Sequence, residues 1–125
     1  MHHIQEFKVY RREDDILVFE FLAMNRPVAD AFAKVVRLGA SNVPTKLRVI
    51  YDFSLATPPT TYFLQVQGKL YTEFPHPKDE KSAYVVGSHN ITNEVWVRIL
   101  RSHFIATDTM RIFTDIKEAL IWLKD

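Results

Sequence analysis

The chain holds 125 residues, with 16 Lys and Arg against 15 Asp and Glu, 47% hydrophobic residues, three Gly and no Cys. That length fits a single domain spanning residues 1–125, and the composition excludes disorder, disulfides, thiol nucleophiles and Cys-ligated metal centres. Gly39, Gly68 and Gly87 lie too far apart to form a phosphate-binding glycine loop, and a net charge of +1 gives no electrostatic footprint for nucleic acid or an anionic membrane.

Taken in chain order, two β-type segments come first. Ile4–Arg11 is mixed in pattern, whereas Ile16–Leu22 is nearly all apolar, as a strand covered on both faces would be. The charged run Arg12-Glu13-Asp14-Asp15 between them reads as a hairpin turn. Val28, Ala31, Phe32, Val35 and Val36 then share one helical face, with Asn25 as the N-cap, Pro27 in the first turn and Gly39 as a left-handed stop.

Lys46–Phe53 is a strand, apolar and β-branched at its centre. A second helix is expected after Thr57-Pro58-Pro59, capped by Thr57 with the prolines in its first turn, and running to about Phe74. Phe63, Val66, Leu70 and Phe74 share its buried face, and Gly68 inside it implies close packing on its side. The charged run Lys78-Asp79-Glu80-Lys81 reads as solvated loop before the strand Ser82–Gly87.

A third helix follows Asn90, with Ile91, Val95, Trp96, Ile99 and Leu100 as its apolar stripe. Thr109–Phe113 is a short strand. The last helix opens on Asp115 and Glu118 at capping-box spacing and buries Ile116, Ala119, Leu120 and Leu123. The order β-β-α-β-α-β-α-β-α implies an α/β domain: a mostly parallel sheet covered by helices, with one antiparallel edge hairpin. No segment reaches the ~18 apolar residues that cross a bilayer, and Met1–Arg12 has no export signal, so a cytoplasmic protein without a membrane span is expected.

Three stretches of this pattern carry a family resemblance: Val49-Ile50-Tyr51-Asp52-Phe53-Ser54, Ala83-Tyr84-Val85-Val86-Gly87, and Met110–Asp115 leading into Glu118-Ala119-Leu120-Ile121-Trp122-Leu123. In order and length the chain resembles the STAS domain and the related SpoIIAA-like family, bacterial relatives of the anti-sigma-factor antagonists. The resemblance implies a non-enzymatic regulatory module that docks another protein, such as a kinase-like partner, through the turn and helix after the third strand. In antagonist members an Asp-x-Ser segment is followed by an Asp-Ser-Ser-Gly-like turn whose serine accepts a phosphate. Asp52-Phe53-Ser54 is similar to the first element, while Thr57-Pro58-Pro59-Thr60-Thr61 replaces the second, with neither serine nor glycine.

The residues support the same location independently, because open α/β sheets place ligands at the carboxyl ends of their strands. Ser54, Thr57, Thr60 and Thr61 are the candidate regulatory hydroxyls there. The candidate partner or ligand surface comprises Tyr62, Phe63, Val66, Leu70, Tyr71 and Phe74 on the helix, with Ser88, His89 and Asn90 at the neighbouring strand end. A helix so rich in aromatics also suits a homodimer face, or a carrier or sensor of a small hydrophobic ligand or lipid, as the resemblance implies.

His89 could approach the Ser54–Thr61 turn with Asp52 as the nearest carboxylate, and Ser, His and Asp in one place would suit a hydrolase, yet no G-x-S-x-G elbow presents a serine. The histidines make no H-E-x-x-H motif and no i, i+4 helical pair. No metal, cofactor or catalytic residue is assigned, and Arg98 and Arg101 alone make no nucleic-acid surface.

Overall fold

Alternation of apolar side chains fixes which strands can be covered on two sides, and the sheet obeys it. The structure, a computed structural model, describes residues 6–39, 45–56, 60–73, 79–87 and 109–124, with only the backbone of Tyr71. The strands are β1 (Phe7–Arg11), β2 (Leu17–Phe21), β3 (Lys46–Phe53), β4 (Asp79–Val86) and β5 (Met110–Phe113), and the described helices are α1 (Arg26–Gly39), α2 (Thr61–Glu73) and α3 (Ile116–Lys124). One five-stranded sheet runs in the order β1-β2-β3-β4-β5. The β1–β2 pair is antiparallel and the other three pairs are parallel, as the alternation of strands with helices requires.

The β1–β2 hairpin closes through Arg12–Ile16, with Asp15 N donating to Arg12 O at 3.0 Å and Arg12 N to Ile16 O at 2.9 Å. Asp15 takes the left-handed position of this three-residue loop at φ 66°, which a short polar side chain tolerates.

Parallel register decides the core on the first face. Phe19 lies beside Tyr51 and Tyr51 beside Tyr84, so their rings stack across three strands at centroid spacings of 5.4 and 4.9 Å. Phe21 and Phe53 stack at 4.7 Å, and Phe63 of α2 stands edge-on to both at 5.3 and 5.9 Å. Phe32 of α1 meets Phe19 and Phe63, so α1 and α2 cover this face together. On the opposite face Ile16, Val18, Ile50, Ala83 and Val85 pack against Ala119 and Leu123 of α3. Ile16–Leu22 is therefore apolar because it serves two cores.

Several helix and strand ends differ from the sequence expectation. Asn25 caps α1 as expected, its Oδ1 accepting from Val28 N at 3.0 Å. Gly39, however, ends α1 without a positive φ, so no left-handed stop forms there. The cap of α2 is Thr60 rather than Thr57: Thr60 Oγ1 accepts from Phe63 N at 3.1 Å and its carbonyl from Leu64 N at 3.0 Å. Pro58 and Pro59 thus precede the helix instead of filling its first turn. A Cβ at Gly68 would meet nothing within 4 Å among the described residues, which removes the expected close packing.

β4 begins at Asp79, not Ser82, because pairing with β3 extends to Lys46–Asp79 and Arg48 bridges to Asp79 at 2.9 Å. Asp79, Glu80 and Lys81 of the charged run read as loop are therefore strand. α3 opens as expected on Asp115, whose carboxylate accepts from Lys117 N at 2.9 Å. The expected third helix after Asn90 lies outside the described residues, as do Ile4 and Gln5 of the first expected strand.

Candidate functional site

β3 is the central strand, paired with β4 over its whole length and with β2 over Val49–Asp52, and the chain leaves the sheet after Phe53. Phe53 is fully buried on the α1–α2 side, so Asp52 must face the other way. Its Oδ1 accepts from Ser54 N at 2.9 Å and from Ser54 Oγ at 2.6 Å, and Ala56 N then donates to Phe53 O at 3.0 Å. An aspartate reaching two residues forward in this way locks a turn without glycine. The arrangement orients Ser54 rather than freeing it, because both its donors are spent on one carboxylate oxygen.

Leu55 follows, 67% exposed, between the locked Ser54 and the buried Ala56. A leucine held in water at the tip of an ordered turn is the largest departure from the buried apolar pattern near this site. Thr60 and Thr61 are both exposed. The Thr60 hydroxyl is used as the helix cap, whereas Thr61 occupies the first helical position with no side-chain hydrogen bond among the described residues.

Tyr62 ties the amino ends of the two covering helices together. Its hydroxyl donates to Asp30 of α1, and the Arg26 guanidinium lies 4.4 Å from its ring centroid. At the other end Arg37 and Glu73 lie 3.8 Å apart. The candidate surface residues Phe63 and Leu70 are buried in the first core, and Val66 packs partly against it. Gln67, buried among them, donates to the Tyr84 hydroxyl at 3.1 Å and leaves its Oε1 without a partner among the described residues. Among the described side chains, the exposed face of α2 therefore consists of Thr61, Gln65, Lys69, Thr72 and Glu73.

On the opposite side of the sheet Glu20 of β2 lies in register with Asp52. Tyr10 donates weakly to Glu20 at 3.5 Å. Burial holds the Tyr10 phenol above its ordinary pKa of 10.0, with the negative charges of Glu20 and Asp52 acting in the same direction.

Ser54 thus lies just after the carboxyl end of β3, and Thr60, Thr61 and Tyr62 lie at the amino end of α2. Thr57, Phe74, Ser88, His89 and Asn90 lie outside the described residues, as does the side chain of Tyr71. Residues that the sequence reading missed are Leu55, Asp30, Arg26 and Gln67. Leu55 stood out only as an apolar residue in a hydroxyl-rich turn, and Gln67 as a polar residue four positions after Phe63 on an apolar stripe. The Arg26–Tyr62–Asp30 cluster had no sequence signal, because its members come from two separate helices.

Among the described residues no group of three or more metal-capable side chains occurs, and no helix is long and apolar enough to cross a membrane. No protein-family model matches the chain, and no curated protein matches it. Solved structures do match. An uncharacterised protein of the DUF3478 family with a SpoIIAA-like fold, from Shewanella loihica PV-4, superposes with a TM-score of 0.65 at 15% identity, over 94% of this chain and 91% of its own. An anti-sigma factor antagonist from Mycobacterium paratuberculosis superposes with a TM-score of 0.61 at 12% identity, over 95% of this chain and 93% of its own. Superposing on both over nearly the full length of each, this chain has the SpoIIAA-like fold.

Proposed function

We propose that the protein is a non-enzymatic regulatory module that docks a protein partner through the Ser54–Thr61 turn and the exposed face of α2. The observation that carries this reading is Leu55. It is an apolar side chain presented to water on a turn that Asp52 holds in place, at the carboxyl end of the central strand. The similarity in fold to an anti-sigma factor antagonist supports a regulatory protein, such as an anti-sigma factor or a kinase, as the partner. Docking is favoured over carriage of an apolar molecule because Phe63 and Leu70 already pack against the sheet.

Thr61 is the hydroxyl best suited to control that docking. Ser54 is committed to Asp52, whose charge would oppose a phosphate, and Thr60 is committed to the cap. A phosphate on Thr61 would sit at the positive end of α2 and add charge to the proposed docking surface. The test uses protein purified from its native host. Intact-mass measurement should show a phosphorylated fraction that maps to Thr61, and Leu55→Asp should lose a partner that the unaltered protein retains. Unmodified protein under all growth conditions would overturn the switch, and a partner held equally by Leu55→Asp would overturn the docking surface.

A further inference from the structure

β1 forms one edge of the sheet, and among the described residues no strand lies beyond it. Its backbone groups divide by residue. Arg12 N donates to Ile16 O at 2.9 Å and Leu22 N to Glu6 O at 2.8 Å, so both ends of the hairpin are hydrogen-bonded pairs. Antiparallel alternation over the intervening register makes Lys8–Glu20 and Tyr10–Val18 hydrogen-bonded pairs as well. The N–H and C=O of Phe7, Val9 and Arg11 consequently point away from the sheet. Beside them stand two large side chains left in water, Val9 at 38% and Tyr10 at 44% exposure. Such an edge is a template for another strand unless its charges forbid one.

The charges on this edge discriminate between registers rather than forbidding pairing. A second copy related by a two-fold axis normal to the sheet keeps matching faces together, so the axis must pass beside a single residue. Centring it on Lys8 sets Lys8 against Lys8, and centring it on Tyr10 sets Lys8 against Arg12; both oppose like charges directly across the strands. Centring it on Val9 sets Lys8 against Tyr10 and Glu6 against Arg12, with opposite charges at each end. In this register the outward groups of Val9 meet those of Val9, and the outward groups of Phe7 meet those of Arg11.

We propose that β1 pairs antiparallel with β1 of a second copy of this chain, in register about Val9, so that two sheets join into one. The surface is self-complementary, as a two-fold contact demands. It is also separate from the Ser54–Thr61 turn, since β2 lies between β1 and β3.

The test follows association of the full chain by sedimentation from micromolar to near-millimolar concentration. A concentration-dependent dimer is expected. Val9→Pro deletes only an outward N–H and no bond to β2, so it should weaken the dimer by at least about tenfold while leaving the circular dichroism spectrum unchanged. If that variant misfolds, Glu6→Lys makes the same test by placing a like charge opposite Arg12.

Register is read separately. The chain has no cysteine, so Lys8→Cys, Val9→Cys and Tyr10→Cys each introduce a unique thiol. Strand pairing about Val9 brings the two introduced Cα atoms to about 5.5 Å, within disulfide range, and Val9→Cys should cross-link fastest. A chain that stays monomeric throughout would overturn the proposal. So would a dimer indifferent to the edge substitutions, or fastest cross-linking at position 8 or 10.

Discussion

At the residue scale, the turn after β3 depends on one carboxylate oxygen doing two tasks. Asp52 replaces the conformational freedom of glycine with hydrogen bonds to Ser54, which explains how the turn dispenses with glycine. Gly68 is the opposite case: a helical glycine where an added Cβ would meet none of the described residues within 4 Å. Gly68→Ala should therefore stabilise the protein by about 0.5–1 kcal/mol in chemical denaturation, through helix propensity and a less flexible unfolded chain.

Tyr10 supplies a pH-dependent term whose sign follows from burial and from Glu20 and Asp52. Its folded pKa lies above the unfolded value, so the unfolded chain loses the phenolic proton first as pH rises. The contribution is complete below pH 10 and declines above it. Exposure keeps it small. Denaturation across that alkaline range should show a shallower decline in Tyr10→Phe than in the unaltered protein.

At the element scale, caps decide where helices begin, and they show what the sequence could and could not specify. Three threonines precede or open α2, at positions 57, 60 and 61, and each could serve as a cap by composition. The choice of Thr60 follows from where the chain, leaving β3, first brings a helix onto Phe53 and Phe21. Thr60→Ala should cost about 1 kcal/mol in denaturation, whereas Thr61→Ala, losing no hydrogen bond, should be close to neutral.

The carboxyl end of α3 is closed by strand residues. Arg48 Nε donates to Leu123 O at 3.0 Å and Lys81 Nζ to Trp122 O at 3.2 Å, satisfying carbonyls that a helix cannot satisfy internally. Arg48 is nearly buried and also grips Asp79. Arg48→Met should destabilise by about 2–3 kcal/mol, with α3 loosening first, as amide exchange at Leu120–Lys124 would show. Nothing in the spacing of Arg48, Asp79 and Leu123 announced this contact. The periodicity of Ala119 and Leu123 did announce the buried face that the contact secures.

At the scale of the whole molecule, two helix-covered faces and the β1 edge set the distribution of stability. β3 and β4 are paired on both sides and carry apolar residues toward both cores. Their amides at Val49–Phe53 and Ala83–Val86 should exchange slowest. In dilute solution Phe7, Val9 and Arg11 should exchange fastest among the strand residues, since their N–H groups face outward. Slow exchange at Val9 in dilute protein would show that something other than a second copy covers the edge.

The amino-acid sequence by itself determined the α/β class, the hairpin edge, the eight-residue span of β3 and part of each described helix's buried face: Val28 and Phe32 in α1, Phe63 and Leu70 in α2, Ala119 and Leu123 in α3. These follow from local periodicity, because a side chain's direction along a strand or helix is set by its neighbours in the chain. Tertiary structure alone decided that Thr60 rather than Thr57 is the cap, that β4 starts at Asp79, and that Tyr62 joins Asp30 and Arg26. It also decided which residue of the turn faces water. Each of these depends on partners distant in sequence, and the energy that selects among local alternatives comes from contacts the chain acquires only on folding.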